Sequence, residues 1–326
     1  MVTDSKVISN AFNNYFVKIG PALAKKIPPT NVNPTTLIPN NESSIFLSPV
    51  VEGEIKSITL KLKESAPGHD EITTNILKNT IDLIAQPVTH LINLTLEQGS
   101  FPSQLKLAKV VPIYKSKDPL SISNYRPVSV LPALSKIYER VIYNRIHKFI
   151  DDHDILYKFQ FGFRAKHSTS AAIAVLLDNI ANAFNHNENV CGVFLDMQKA
   201  FDTIDYKILL AKLEKYGIRG NALSLISSYL AERKQFVKYN DSKSAILPIV
   251  CGVPQGSILG PLLFLLYMND LGGISSKLLP ILFADDTSLF FRSHNLSVLE
   301  NTVNAELVKV DHWLKINKLS INIEKN

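Results

Sequence analysis

Residues 279–291 read L-P-I-L-F-A-D-D-T-S-L-F-F, in which two short apolar runs flank an adjacent pair of acids. Each run favours extended structure, so the stretch predicts two strands joined by a tight turn. Asp285 and Asp286 then lie at the tip of a hairpin, where their carboxylates repel each other. A divalent cation bound there would remove that repulsion, because hard cations take oxygen ligands. The alternative, and the commoner explanation for an isolated pair of acids, is a solvated turn. The remaining motifs of the chain discriminate between these two interpretations.

The composition indicates a globular protein with a basic excess. Of the 326 residues, 46% are hydrophobic, and the formal net charge of +6 suits a polyanionic partner. Two cysteines, Cys191 and Cys251, make neither a disulfide framework nor a zinc site and fit a reducing compartment. The N-terminus lacks a signal-peptide run, and the most apolar stretch, residues 258–271, is too short to span a bilayer. We therefore expect an intracellular protein of the nucleus, the cytoplasm or both, without a membrane partner.

The first 49 residues are predicted to form an N-terminal leader and linker. Residues 8–27 suit one or two short helices, and residues 28–42 contain four prolines and four asparagines. Amphipathic patterns then predict helices over residues 50–62, 71–84 and 87–99, the second of them capped by Asp70.

Residues 101–166 carry most of the charge asymmetry, with twelve Lys and Arg against five acids. Residues 107–114 and 125–130 read as two strands, which places Lys115 and Arg126 on a two-stranded hairpin. Such a hairpin is either an ordinary solvated surface or a triphosphate clamp, because Lys offers a point charge and Arg a bidentate fork.

Further along the chain, strands and helices alternate around glycine-rich and acidic motifs. Residues 171–184 predict a helix capped by Ser168 or Thr169, with a core stripe of Ile173, Leu177, Ile180 and Phe184. Residues 190–195 read as a buried strand that ends at Asp196. A Gly-rich turn at residues 251–261 precedes a helix over residues 262–269, and a long helix over residues 296–316 precedes a strand-like segment at residues 319–323.

This order of elements allows three carboxylates to meet on one antiparallel sheet. Asp196 ends one strand, and Asp285 and Asp286 join two others. Three carboxylates and two Mg²⁺ ions are able to perform in-line phosphoryl transfer, in which one metal activates a hydroxyl and the other stabilises the leaving oxygens.

Six motifs, in this order, carry a resemblance to a known family. They are S-A-P-G-H-D (65–70), N-Y-R-P-V-S-V-L (124–131), F-Q-F-G-F-R (159–164), F-L-D-M-Q-K-A-F-D (194–202), V-P-Q-G-S-I-L-G-P (253–261) and F-A-D-D (283–286). Through them, residues 50–326 resemble the reverse transcriptase domain of non-long-terminal-repeat retrotransposons, of the LINE type and jockey-like. Residues 8–27 are similar to the connector that precedes this domain.

The resemblance implies an α+β, right-hand polymerase fold with fingers and palm, in which helices back an antiparallel palm sheet. Residues 50–187 would form the fingers-rich part and residues 188–326 a C-terminally truncated palm. On this resemblance we expect the chain to lack the thumb and primer-gripping segment that should follow residue 326, and the endonuclease that usually precedes this domain.

The resemblance also implies residue roles. Asp196, Asp285 and Asp286 match the catalytic carboxylates that hold two Mg²⁺ ions, for which Mn²⁺ is a possible substitute. The nucleotide-binding positions are matched by Lys115, Arg126, Phe201, Gln255 and Gly256. Phe201 would close the space beside the sugar 2′ position, whereas Asp202 and Asp205 match no metal ligand.

The expected function is RNA-directed DNA polymerase, which extends a DNA primer on an RNA template with dNTPs. Two alternatives remain open. One is a catalytically impaired, nucleic-acid-binding remnant of such an element. The other is an RNA-dependent RNA polymerase, which Phe201 disfavours because a ribonucleotide needs room at its 2′ hydroxyl.

Overall fold

The structure, a computed structural model, describes residues 3–322. Its helices are α1 (Ser5–Ala24), α2 (Glu52–Leu60), α3 (Thr74–Gln98), α4 (Ala133–Asp152), α5 (Thr169–Asn185), α6 (Ala200–Thr203), α7 (Tyr206–Lys215), α8 (Gly220–Leu230), α9 (Leu259–Met268) and α10 (Leu296–Ile316). Its strands are β1 (Leu107–Tyr114), β2 (Tyr125–Val130), β3 (Asn189–Asp196), β4 (Lys234–Tyr239), β5 (Ser242–Lys243), β6 (Leu247–Pro248), β7 (Leu279–Phe283) and β8 (Asp286–Ser293). The mixed α+β class predicted from the sequence is therefore confirmed.

The strands form two sheets. The three-stranded sheet has the order β3-β8-β7 and is antiparallel throughout. The second sheet has the order β2-β1-β4-β5, and β6 also pairs with β4. In that sheet β1 runs parallel to β4, and the other neighbours are antiparallel.

Helix α9 lies at the centre of the main hydrophobic core, where it packs against α4 and α7. A buried ion pair lies at its end: Lys212 Nζ donates to Asp270 Oδ1 over 2.5 Å. Trp313 Nε1 donates to the other carboxylate oxygen of Asp270 over 2.9 Å. Because both oxygens are hydrogen-bonded, the desolvation cost of the buried charges is offset, and α7, α9 and α10 are tied together.

Several predicted elements are confirmed closely, including the strands at residues 107–114 and 125–130 and the helix over residues 296–316. The segment predicted as a strand at residues 319–323 makes an isolated bridge, between Ile321 and Met197, and residue 323 lies outside the described residues. The predicted short helices of residues 8–27 form a single helix, α1. It packs on β4, and the Asn13 amide donates to the Ala245 carbonyl over 2.7 Å.

The prediction of two helices over residues 71–84 and 87–99 is wrong. A single helix, α3, continues through Pro87, and its N-cap is Thr73, whose hydroxyl accepts from Ile76 N, rather than Asp70. Proline removes a backbone donor and normally interrupts a helix. Here the buried stripe continues on both sides of Pro87, so packing outweighs that local cost; the stripe comprises Leu77, Ile81, Ala85, Val88 and Ile92.

The predicted core stripe of α5 and the predicted burial of β3 are also wrong. Leu177 is 58% exposed and Phe184 is 68% exposed, and Phe194 on β3 is 62% exposed. The reason is that β3 is an edge strand and α5 lies on that small sheet with nothing packed on its far side among residues 3–322. Periodicity predicts which face of an element is apolar, but not whether another element covers it. None of the helices described here is both long and apolar enough to cross a membrane.

Candidate active site

The Asp-Asp hairpin forms as the sequence predicts. The pairing of β7 with β8 ends at Phe283 and Asp286, so Ala284 and Asp285 make a two-residue turn. Ala284 has a φ of +57°, a region that residues other than glycine seldom adopt. Asp196, the last residue of β3, pairs directly with Asp286 in the antiparallel register. The three acids singled out from the sequence therefore meet at one end of one sheet.

These acids form one electrostatic cluster. The pKa of Asp285 is raised, first by burial and then by the negative charges of Asp286 and Asp196, while Arg126 opposes the shift. Asp196 is further oriented by Asn322, whose Nδ2 donates to Asp196 Oδ2 over 2.7 Å. Asn322 was not identified from the sequence, although this residue lies in the strand-like segment predicted at residues 319–323.

The donor set at this end of the sheet fits a hard divalent cation only in part. Within residues 3–322, no group of three His, Cys, Asp or Glu side chains is close enough to hold a metal by itself. Carboxylate oxygens are nevertheless the ligands that Mg²⁺ takes, and Mg²⁺ commonly binds one or two carboxylates and completes its shell with water and substrate phosphates. The residues present therefore fit a metal site that a phosphate-bearing substrate would complete.

The motif F-Q-F-G-F-R is hydrogen-bonded to the tip of the Asp-Asp hairpin. Gln160 Oε1 accepts from Ala284 N over 3.1 Å and from Gly162 N over 2.9 Å. The backbone on either side of Gln160 pairs with Leu282 through hydrogen bonds of 2.8 and 2.9 Å. A Cβ on Gly162 would lie 2.3 Å from Ala284 N, so this position has room only for glycine. The segment supports the turn, a role that its aromatic and basic composition did not reveal.

Phe201 is fixed between two other rings. Its ring stacks on Phe264 at a centroid distance of 4.3 Å and an interplanar angle of 12°. Phe163 meets it edge-on at 5.8 Å and 87°. Aromatic pairs of this kind hold ring orientation as well as burying area. Phe201 therefore has little freedom to rotate away from the position that follows β3.

The Gly-rich turn lies against β2. Ser129 N donates to the Gln255 carbonyl over 2.7 Å. Gly256 has a φ of +120°, and a Cβ there would lie 2.5 Å from Ser129 O. The predicted residues Gln255 and Gly256 thus connect the hairpin of β1 and β2 to the element that carries Phe201, because Val253 N also donates to Phe201 O.

The predicted basic residues lie on the β1–β2 hairpin as expected. Lys115 follows the last residue of β1, Arg126 lies on β2, and both are exposed. Arg126 is near enough to Asp285 to oppose the rise of that carboxyl pKa. A third cation, Lys199, joins them: burial, followed by the charges of Lys115 and Arg126, lowers its pKa, against the influence of Asp202. Sequence reasoning missed Lys199 even though it lies three residues after Asp196.

Residues 113–326 match the protein family described as "Reverse transcriptase (RNA-dependent DNA polymerase)". The chain belongs to this family.

Its relatives include proteins of non-long-terminal-repeat elements, which confirms the resemblance found in the motifs. The chain is 32% identical to the RNA-directed DNA polymerase from mobile element jockey of Drosophila melanogaster, over 93% of this chain and 35% of that protein. It is 34% identical to the probable RNA-directed DNA polymerase from transposon BS of the same species, over 86% of this chain and 31% of that protein. The retrovirus-related Pol polyprotein from type-1 retrotransposable element R2 of Popillia japonica is 25% identical, over 85% and 39%. The chain therefore spans about a third of the length of these curated relatives.

Proposed function

We propose that this chain carries the polymerase site of an RNA-directed DNA polymerase, with an RNA template, a DNA primer and dNTPs as its substrates. The observation that supports it most is the pairing of Asp196 with Asp286 beside the turn that contains Asp285. In this proposal the three-stranded sheet belongs to the palm, within residues 188–326, and the basic β1–β2 hairpin to the fingers, within residues 50–187.

Asp196, Asp285 and Asp286 would hold the divalent cations, Mg²⁺ or its substitute Mn²⁺, together with phosphate oxygens of the substrate. Bound Mg²⁺ would lower the pKa of the primer hydroxyl and stabilise the negative charge on the leaving pyrophosphate. Burial raises the pKa of Asp285, and the negative charges of Asp286 and Asp196 raise it further. That repulsion supports this assignment, because a bound cation would relieve it.

The other proposed residues would bind and orient the nucleotide. Lys115 and Arg126 would neutralise the negative charge of the triphosphate while the primer oxygen bonds to the α-phosphorus and the pyrophosphate leaves. Gln255 and Gly256 would line the nucleotide and template side of the site, with Gly256 allowing close approach of a backbone. Phe201 would exclude a 2′ hydroxyl by steric overlap.

The direct test is primer extension on an RNA template. We expect DNA synthesis with dNTPs and Mg²⁺ or Mn²⁺, no synthesis after chelation, and much poorer use of rNTPs. Synthesis with rNTPs as efficient as with dNTPs would instead support an RNA polymerase. Tight RNA binding without any extension, under conditions where the chain is folded, would support the nucleic-acid-binding remnant.

Phe201→Ala is expected to raise the use of ribonucleotides relative to deoxyribonucleotides. Removing the ring opens space beside the sugar, and a steric clash is the means of exclusion proposed here. The measurement is kcat/KM for a matched dNTP and rNTP in both proteins. Phe149→Ala, which removes a buried ring from α4, is the control for general destabilisation. An unchanged sugar ratio in Phe201→Ala would show that this ring is only part of the core.

Lys115→Ala and Arg126→Ala are each expected to raise the KM for dNTPs by about tenfold, with little loss of template affinity. A charge-assisted contact to phosphate contributes roughly 1.5–3 kcal/mol, which corresponds to at least that factor. Nucleotide KM and RNA affinity are measured side by side, with Arg140→Ala on α4 as a matched loss of one charge. Weaker RNA binding at an unchanged KM would instead identify the hairpin as a template-binding surface.

A further inference from the structure

Asp202 directly follows Phe201, yet its role is not explained by the metal site or by the sugar contact. Gln255 Nε2 donates to Asp202 Oδ1 over 2.9 Å. The other carboxylate oxygen, Oδ2, is buried and has no hydrogen-bond partner within residues 3–322. Burial raises the pKa of Asp202 to about 6, against the hydrogen bond from Gln255 and the charge of Lys199. Burying a half-satisfied carboxylate costs stability, so a purely structural role does not account for it.

The main chain around this pair is fixed without the help of the carboxylate. Gly252 N donates to Ile204 O, and Val253 N donates to Phe201 O, each over 2.9 Å. Ser129 N holds the carbonyl of Gln255 from the other side. These bonds place the backbone of Gln255, but they leave its side chain free to rotate.

The Gln255 side chain is instead oriented by Asp202. Within the described part of the chain, the bond to Asp202 is the one hydrogen bond that this amide makes. An ionised carboxylate is only an acceptor, so the amide must turn its NH₂ group towards Asp202 and keep its carbonyl oxygen, Oε1, for another partner. The contact therefore selects one of the two amide orientations.

We propose that Asp202 is a positioning residue that fixes the orientation of the Gln255 amide, so that Oε1 is presented as an acceptor to the incoming deoxynucleoside triphosphate. This inference rests on the proposed nucleotide-binding role of Gln255. It extends that role to a residue that matches no metal ligand and touches no reacting atom.

Two substitutions of Asp202 separate the acceptor from the charge. Asp202→Leu keeps the branched shape of the side chain and has no acceptor, whereas Asp202→Asn loses the charge and keeps one acceptor oxygen. We expect Asp202→Leu to weaken dNTP binding about fivefold, the factor for one hydrogen bond of ordinary strength. Asp202→Asn is expected to recover most of that affinity. Asp202→Asn should have a Tm at neutral pH no lower than that of the unmodified chain, because it removes a buried charge and keeps an acceptor for Gln255 Nε2.

Binding is measured with the full chain on an RNA template carrying a dideoxy-terminated DNA primer, so that affinity is read without chemistry. Gln255→Met removes the amide at nearly constant volume and completes a double-mutant cycle. If Asp202 acts through Gln255, Asp202→Leu causes no further loss of dNTP affinity in the Gln255→Met background.

The outcomes distinguish this inference from the function on which it rests. Losses that multiply in the double variant, or an unchanged affinity in Asp202→Leu, would overturn the positioning role and leave Gln255 as a nucleotide contact. An unchanged affinity in Gln255→Met would overturn the roles of both residues while the polymerase function stands. No dNTP binding by the unmodified chain on the primed template would overturn the proposed nucleotide site as well.

Discussion

Asp285→Asn is expected to lower primer extension by on the order of 10³-fold or more while the protein stays folded. Asp285 lies in the two-residue turn beside Asp196 and Asp286, and the substitution removes one of the proposed metal ligands. A metal ion contributes several kcal/mol of transition-state stabilisation, and each 1.36 kcal/mol corresponds to a factor of ten in rate. The measurement is single-turnover extension with saturating dNTP, together with thermal unfolding of both proteins.

The stability of the same variant provides an independent check. Because the folded-state pKa of Asp285 is raised, the unmodified chain loses stability as pH rises from the unfolded pKa through the folded one. Asn carries no proton to titrate, so Asp285→Asn is expected to match or exceed the unmodified chain in stability at neutral pH. Asp241→Asn, in an exposed turn, is the matched control and should change neither property. Extension near the unmodified rate would remove Asp285 from the proposed site.

Gly162→Ala is expected to lower extension by about 100-fold although residue 162 bears no functional group. The added Cβ would lie 2.3 Å from Ala284 N, so either residues 159–164 or the hairpin tip must move. Misplacement of a reacting group by about 1 Å costs roughly that factor. The effect should fall mainly on kcat, since the residues proposed to bind the triphosphate lie on other elements.

The matched control is Gly53→Ala, in α2, where an added Cβ meets no atom within 4 Å. This substitution is expected to leave extension unchanged and to stabilise the helix by up to about 1 kcal/mol. Full activity in Gly162→Ala would mean that the hairpin tip tolerates displacement and that its position is not fixed by the segment behind it.

The position of the acidic pair could be predicted because local signals agree there. Short apolar runs, a tight turn and two adjacent acids lie within residues 279–291, and the structure forms the hairpin with Asp285 in the turn. The basic β1–β2 hairpin followed from the same kind of pattern. Order along the chain was then enough to bring Asp196 to the same sheet.

The supporting residues could not be predicted, because their partners are remote in sequence. Gln160 holds Ala284 across 124 positions, Asn322 reaches Asp196 across 126, and Gln255 reaches Asp202 across 53. A polar side chain in a sequence gives no sign of which distant backbone group it will meet. The burial of the apolar stripe of α5 was predicted wrongly for a related reason: such a stripe does not indicate whether another element packs against it.

Asp196 faces Asp286 because eight consecutive residue pairs join β3 to β8 in one register. Side chains alternate between the two faces of a strand, so one residue gained or lost within either strand would turn Asp196 or its neighbours to the opposite face. The lengths of these strands are therefore under the same constraint as the identity of the acids. A related gene copy that keeps all three aspartates but has gained or lost a single codon in either strand is expected to encode a protein without polymerase activity.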